Sequence, residues 1–577
     1  MRSSDDPRFY LLGILLVIAT TVTYSNHFTN SFHFDDSHTI VNNVYIKNIR
    51  NIPLFFRDGA TFSSLPTNQS YRPVVTTTLA IDYWLGKGLR TTFYFHLSTF
   101  ILFLAQGACM YPLYLGIFRT SFRHEWNRPA AFISVAWYLL HPVGAETINY
   151  IIARSDSLST LFVILSFVLF FHAPACRRFH LYLLPLAAGC LAKPIAAVFA
   201  PLLLVYVLLF EENPSWTDPF RKTLPSFVFC LILLAFIGKM DPPTWVPGGT
   251  SRYHYVITQP YVILRYFTTF FLPLGLSADT DWKPLASVAD VRFVAGSLFV
   301  AALLFFAIGA ARKERLRPIS FGILWFLIAL LPTSLIPLAE VTNDHRVFFP
   351  YVGLVMAVSW TLALAMARWK ESAPPGRAFS RWAAAGIAIL LAAYAYGTHQ
   401  RNTVWRSEET LWRDVARKSP ENARGLMNYG LALMRKGDYR GAEKYFTDAL
   451  MKSPSYSYLH VNMGVLKAAT GEPGEAEGYF RNAIALGPGY PECYFHYAKF
   501  LKDGKRYDEA TGNLQKAQKL APAHLGARHL LMDIYFEQLR FGNLEELAVQ
   551  TLLVAPTDPK ALYYRDFIER RKTASDG

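Results

Sequence analysis

Pro420, Pro454, Pro488, Pro522 and Pro556 stand thirty-four residues apart, the period of a tetratricopeptide repeat, which is a pair of antiparallel helices. That register leaves the last third of the chain few other folds. Small and aromatic positions recur with the prolines. Gly430, Ala442, Phe446 and Ala449 precede Pro454; Gly464, Ala476, Phe480 and Ala483 precede Pro488; Ala498, Ala510, Leu514 and Ala517 precede Pro522. Small residues let paired helices approach, and the aromatics fill the gap between layers. The fourth unit carries Met532 and Leu544 at the first two small positions, which suits a capping repeat. Stacked pairs give a curved groove of the kind that holds peptide; the plain alternative is a spacer. The segment with Trp412 and Val415 takes the second-helix position of a half repeat ending at Pro420. The solenoid is therefore expected to start almost directly after the last hydrophobic span, with the groove held over the outside loops by little linker.

The remainder reads as membrane. The chain has 577 residues, 52% hydrophobic and 15% aromatic, yet its mean hydropathy is only +0.19, so a polar solenoid dilutes an apolar region. About eleven segments satisfy the charge pattern, near 10–24, 93–117, 129–143, 157–172, 179–192, 195–210, 223–238, 294–311, 318–337, 348–368 and 382–398. This reading puts Arg119, Arg123, Arg128, Arg177, Arg178, Arg221, Lys222, Arg312, Lys313, Arg315, Arg317, Lys370, Arg377 and Arg381 in cytoplasmic loops, and Arg2 and Arg8 ahead of the first span. Short loops rich in Arg and Lys stay inside, so the solenoid is expected outside. Residues 259–275 are apolar too, but Arg265 lies at their centre between Pro260 and Pro273. Counting them as a span would invert everything after. Residues 239–292 are therefore read as one outside loop whose apolar helix lies along the membrane or dips into it.

The net charge of +15 is assigned to cytoplasmic anchoring and anionic lipid, not to nucleic acid. Cys109, Cys176, Cys190 and Cys230 fall in hydrophobic segments and Cys493 stands alone in the polar part, so no disulfide framework or metal-ligand spacing emerges. The first hydrophobic stretch lacks a small-x-small cleavage site and reads as an uncleaved anchor.

Asp35 and Asp36 follow that anchor in the string His33-Phe34-Asp35-Asp36-Ser37-His38. Arg72 closes the first outside loop. His141, Glu146, Arg154 and Asp156 flank the turn between the third and fourth spans, Lys193 joins the fifth and sixth, and Asp344-His345-Arg346 precedes the tenth. Each alone is explained by a helix cap, a snorkelling anchor or a salt bridge. Together they gather acids and cations at one membrane face. Transfer from a lipid phosphate needs such a set: a carboxylate takes the proton of an attacking hydroxyl, and cations neutralise the departing phosphate.

The strings "FHFDD", Arg72-Pro73, "HPVGAETINYIIARSD", "LPLGLSAD" and "NDHRVFFPYVGL" resemble the transmembrane and tetratricopeptide-repeat-containing protein O-mannosyltransferases and their bacterial relatives, members of the GT-C superfamily. The resemblance runs from the first span through the repeats. Animal members read Glu-Arg where this chain has Asp344-His345, which points to a prokaryotic branch and leaves the donor sugar open. The resemblance implies an all-α protein: a polytopic GT-C bundle over 1–398 and an exoplasmic or periplasmic repeat domain over 399–577. It implies an inverting, polyprenyl-phosphate-sugar-dependent transferase that moves mannose or another hexose to Ser or Thr hydroxyls of a translocated protein. Asp35 and Asp36 match the family's acid motif in the first outside loop. Asp35 is the preferred base and Asp36 the orienting partner, with the reverse order open. Arg154, Lys193, Arg265, His345 and Arg346 are candidates for the donor phosphate. Arg72, His141, Glu146, Asp156 and Asp344 are candidates for shaping the pocket. No metal is expected, although two acids could hold one, and the lipid-linked sugar is a co-substrate and not a cofactor. The expected partners are that donor in the membrane and a peptide acceptor in the repeat groove, and the expected location is a bacterial inner membrane with the site and solenoid periplasmic.

Two other readings belong to different classes. One is a non-catalytic membrane-anchored scaffold for envelope or secretion assembly, which would have no use for gathered acids and cations. The other is a transporter of lipid-linked sugars, which would bury charge near the midplane and repeat its membrane half.

Overall fold

The computed structural model describes residues 7–212, 214–244, 251–372 and 377–575. Arg2 lies outside these residues, as do the side chains of Arg8, Lys370, Arg377 and Arg381. The described residues fold as helices and loops, with no strand among them. Packing divides the chain into two compact units. The first comprises the chain to residue 41, 45–63 and 67–411; the second comprises 42–44, 64–66 and 412–577. The division falls past the expected boundary at 398/399, because the helix Arg377–Val404 continues through that point without a break.

Among the described residues of the first unit six helices are long and apolar enough to cross a membrane: Phe93–Ser121, Ile151–His172, Asp218–Met240, Val291–Ala311, Glu314–Leu335 and Pro350–Trp369. Shorter apolar helices cover Phe9–Thr23, Leu183–Ala192 and Pro194–Phe210, and the segments near 129–143 and 382–398 fall on Asn127–Leu140 and Arg377–Val404. The protein is an integral membrane protein. Its outward apolar side chains agree: Leu298 is 67% exposed and Phe305 82%, a cost in water and none in hydrocarbon. The expected apolar segment around Arg265 is the helix Arg252–Phe271, packed on Val291–Ala311, with the Phe267 and Phe299 rings 5.0 Å apart. Two spans cross closely at Gly322 and Gly353, where a Cβ on either would fall within 2.5 Å of the other's carbonyl oxygen.

What positions the polar groups is the block between two of these helices. His141-Pro142 ends the helix Asn127–Leu140, because a proline cannot supply the next N–H. A short helix Gly144–Asn149 and a 3-10 turn Ile151–Ala153, both wholly buried, are followed by the largely buried helix Arg154–His172. Such a turn is stable only if its polar groups are paired inside the protein. Asn149 does much of this: its Oδ1 accepts from Asn30 Nδ2 at 2.6 Å, and its Nδ2 donates to Asn402 Oδ1 at 2.7 Å. These bonds tie the turn to the first loop and to the helix Arg377–Val404.

The second unit is a solenoid of helix pairs: Ala423–Arg435 with Tyr439–Lys452, Ser457–Ala469 with Pro473–Leu486, Pro491–Asp503 with Tyr507–Leu520, and Leu525–Glu537 with Phe541–Val554. Gly430 abuts the Phe446 ring and Gly464 abuts Phe480, with room for no Cβ. The turn inside each pair has one residue at positive φ: Gly437 (83°), Gly471 (83°), Lys505 (60°) and Leu539 (57°), again spaced by the repeat. Only the first two are glycine, the residue that takes this conformation without strain. The fourth pair is not the end of the stack. The helix Pro559–Ser575 packs on it, with Phe536 and Phe567 rings 5.3 Å apart.

Candidate functional site

All the candidate residues lie in the first unit. Asp35 and Asp36, indistinguishable as a dipeptide, have opposite environments. Asp36 is fully buried. Its Oδ2 accepts the His33 N–H at 3.0 Å and its Oδ1 accepts the Ile152 N–H at 2.9 Å. Burial pushes its pKa up to about 7, and the two N–H donors oppose that shift. Between His33 and Asp35, Phe34 holds φ at 48°, an uncommon conformation for a bulky residue and one that must be held by its surroundings. Asp36 is the clamp. It closes the loop on itself and fastens it to the 3-10 turn at Ile152.

The clamped turn presents Asp35, whose side chain is 51% exposed. Its backbone N–H donates to the Tyr150 hydroxyl at 3.2 Å, and its Oδ1 lies 3.3 Å from His38 Nε2. His38 Nδ1 meets Ser63 Oγ at 2.9 Å. Ser63, His38 and Asp35 thus form a chain ending at the exposed carboxyl. Tyr150 stacks on the buried Trp405 (6.2 Å between centroids, 18°) and packs edge-on against Phe34 (5.4 Å).

Two cations, Lys193 and Arg72, share the field of Asp156. Lys193 Nζ lies 2.7 and 2.8 Å from the two oxygens of Asp156. Burial lowers the Lys193 pKa, Asp156 opposes this, and Arg72 and Arg346 add to it. Arg72 sits over the Phe62 ring at 5.1 Å. Burial lowers its pKa as well, countered by Asp156, Asp35 and Asp241. Arg72 thus stands in the fields of both Asp156 and Asp35, and Lys193 in that of Asp156.

A second group forms around Glu146. His345 Nδ1 donates to Glu146 Oε1 at 2.7 Å. Asp344 is buried and accepts the Ser277 N–H at 3.0 Å. Burial raises its pKa to about 7; Glu146 adds to the rise, and Arg401 and Arg265 oppose it. Arg265 stands over the Trp282 ring at 5.1 Å. Arg346 is buried, and its guanidinium donates to the carbonyls of Val341 (3.2 Å) and Glu340 (2.8 Å), so most of its donors hold its own loop in shape. His141 is wall: its Nε2 donates to the Phe270 carbonyl at 3.0 Å and its ring stacks on Phe270 at 5.5 Å. Among the described residues no three His, Cys, Asp or Glu side chains converge as metal ligands would.

Arg154 is a correction to the sequence reading. It is completely buried, ion-paired to Asp82, and donates to the Phe95 carbonyl at 2.7 Å and to Thr99 Oγ1 at 3.0 Å. Its two terminal nitrogens fasten three helices together, and the group is buried inside the protein. Asp82, the matching acid in the otherwise apolar helix Pro73–Leu85, was the available signal. The sequence reading also passed over Tyr150 and His38. Tyr150 lies one helical turn after Glu146, and His38 is three residues after Asp35.

A family model described as tetratricopeptide repeat matches residues 407–457. Over the wider chain, protein O-mannosyl-transferase Tmtc3 of Drosophila melanogaster is 24% identical, covering 76% of this chain and 55% of its own length. Human protein O-mannosyl-transferases TMTC4 and TMTC1 are each 22% identical, covering 77% and 73% of this chain and 66% and 53% of their own lengths. The chain thus spans little more than half the length of several curated relatives. The expected resemblance to this family is borne out by them. Similar solved structures include YrrB, a tetratricopeptide-repeat protein with an unusual peptide-binding site (18% identity, 31% of this chain and 89% of that chain, TM-score 0.23), and yeast Tom70 (13% identity, 80% and 96%, TM-score 0.27).

Proposed function

We propose that the membrane unit transfers a glycosyl group from a polyprenyl-phosphate sugar to a Ser or Thr hydroxyl of a protein, with inversion at the anomeric carbon. The observation that carries this reading is the division of labour in the acid pair: Asp36 is locked by two backbone N–H groups, and Asp35 is turned outward beside His38 and in the field of Arg72. The named activity of the relatives, protein O-mannosyl-transfer, supports the reaction class.

In the proposed step the acceptor oxygen attacks the anomeric carbon, and the bond from that carbon to the phosphate oxygen breaks with its electron pair leaving on the phosphate. Asp35 takes the hydroxyl proton. Lys193 and Arg72 stabilise the charge that develops on the phosphate. Asp36 is a positioning residue. The hexose is mannose or a near relative, and the step draws on no resident metal or cofactor, the lipid-linked sugar being a co-substrate. The solenoid binds the extended acceptor chain, and a tethered groove raises the acceptor's local concentration. The site and solenoid face the periplasm of a bacterial inner membrane, as the distribution of Arg and Lys favours.

The test is incubation of the purified protein with a panel of polyprenyl-phosphate hexoses and an unfolded Ser/Thr-rich peptide. Sugar-dependent release of polyprenyl phosphate, with the sugar recovered on peptide, is expected. Donor binding without release from any member would instead favour a carrier or scaffold.

A further inference from the structure

The His345–Glu146 pair leaves polar atoms unaccounted for. Glu146 is 3% exposed. Its Oε1 accepts from His345, but its Oε2 is buried and has no hydrogen-bond partner among the described residues. On the segment that carries His345, the buried Asn343 Oδ1 also lacks a partner. Native proteins pair nearly all such atoms, and an unpaired one calls for an explanation. The surroundings offer little relief. The Glu146 carbonyl is taken by the Tyr150 N–H at 2.9 Å. Asp344 accepts the Ser277 N–H at one carboxyl oxygen. Two acceptors without hydrogens to accept suit a ligand that supplies several O–H groups.

Charge narrows the ligand class. The Glu146 and Asp344 carboxyl groups lie close enough to feel one another, and Arg401 and Arg265 also act on Asp344, so the spot already gathers both signs of charge. A neutral polyhydroxylated ring adds none. Position narrows it further. Glu146 and Tyr150 are one turn apart on a single helical segment, and the Tyr150 hydroxyl accepts the N–H of Asp35. A turn rises about 5.4 Å, so the unpaired carboxyl oxygen is built on the same short element that sets the proposed base.

We propose that Glu146 Oε2, aided by Asn343 Oδ1, accepts hydroxyl hydrogens of the donor's glycosyl ring, so that Glu146 is the residue that determines which sugar is used. This rests on the transferase reading above. His345 positions Glu146 by fixing one carboxyl oxygen and leaving the other for substrate. A buried acceptor of this kind rejects an analogue lacking the matching hydroxyl far more strongly than an apolar wall could, because the missing hydrogen leaves the oxygen unpaired.

The test uses the purified full chain with polyprenyl-phosphate mannose, polyprenyl-phosphate glucose and their monodeoxy analogues. Both kcat/KM for polyprenyl phosphate release and Kd are measured, for wild type and Glu146→Gln. The wild type should lose about a hundredfold in kcat/KM with at least one monodeoxy donor. Glu146→Gln should be impaired on the parent sugar yet show less than about a fivefold difference between parent and that analogue. Equal use of all deoxy donors by the wild type, or an unchanged preference in Glu146→Gln, would overturn the assignment while leaving the transferase reading intact. So would tighter use of an amino-sugar donor, which would make the site one for an ammonium group. If no donor supports release, the transferase reading fails, and the Kd profiles decide the subsite by the same comparison. If Glu146→Gln does not fold, Asn343→Ala carries the comparison, with the same outcomes for and against.

Discussion

Replacing the two acids one at a time separates chemistry from architecture. Asp36→Asn removes one of two acceptor oxygens and turns an amide N–H₂ toward the N–H of either His33 or Ile152. Losing one charge-assisted hydrogen bond and leaving a buried N–H unmet costs about 2–4 kcal/mol. Relief of the buried charge, whose pKa is pushed up to about 7, offsets part of this, so about 1–3 kcal/mol of destabilisation is expected. The clamp on Phe34 loosens with it, and displacement of Asp35 by about 1 Å can cost about a hundredfold in turnover. Asp35→Asn, by contrast, changes a side chain that is 51% exposed. Stability should hold while turnover falls by about a hundredfold to ten-thousandfold, the scale of a lost general base. The assay pairs polyprenyl phosphate release at saturating donor with thermal unfolding followed by tryptophan fluorescence, both at pH 8. The expected pattern is a loss of kcat in both variants and a loss of Tm only in Asp36→Asn. Destabilisation by Asp35→Asn with normal stability in Asp36→Asn would refute the assignment of clamp and base, and near-wild-type turnover in Asp35→Asn would remove it from the chemistry.

Arg154→Met should abolish stable folding of the membrane unit by stranding the Asp82 carboxyl, a loss of about 3–5 kcal/mol; adding Asp82→Leu should recover much of it, as read by monodisperse elution in detergent, and donor Kd in the recovered protein should be near wild type. Leu539→Gly should raise the unfolding temperature of the solenoid transition in the full chain, because φ of 57° strains leucine by about 1–2 kcal/mol and its side chain is 69% exposed; an unchanged or lower transition would count against the strain. Asp36 and Asp344 have folded-state pKa values raised to about 7 above an ordinary 3.8, so the folded state binds the extra protons. The stability they contribute is complete below about pH 4 and is lost as pH rises through about 7; Tm should fall between pH 5 and pH 8, and Asp344→Asn should flatten that slope.

The sequence by itself determined the elements that depend on local pattern. The thirty-four-residue spacing required helix pairs, because only that register brings Gly430 under Phe446 and Gly464 under Phe480. The apolar segments required helices, since a chain in hydrocarbon must satisfy its own backbone. The same logic singled out Asp35, Asp36, Glu146, Asp156, Lys193 and His345 as polar groups in costly places. It could not say what each one does, for that depends on which partner the fold brings within 3 Å. Arg154 and Lys193 look alike in sequence and each pairs with an acid, yet Arg154 is completely buried against Asp82, Phe95 and Thr99 while Lys193 pairs with Asp156 in the field of Arg72. Asp35 and Asp36 differ by one step along the chain, and an alternation of one residue sends one side chain to two buried N–H groups and the other outward. Tertiary packing alone decided those roles, because hydrogen bonds across 115 residues or more, such as Asp35 to Tyr150, leave no periodic trace in the sequence.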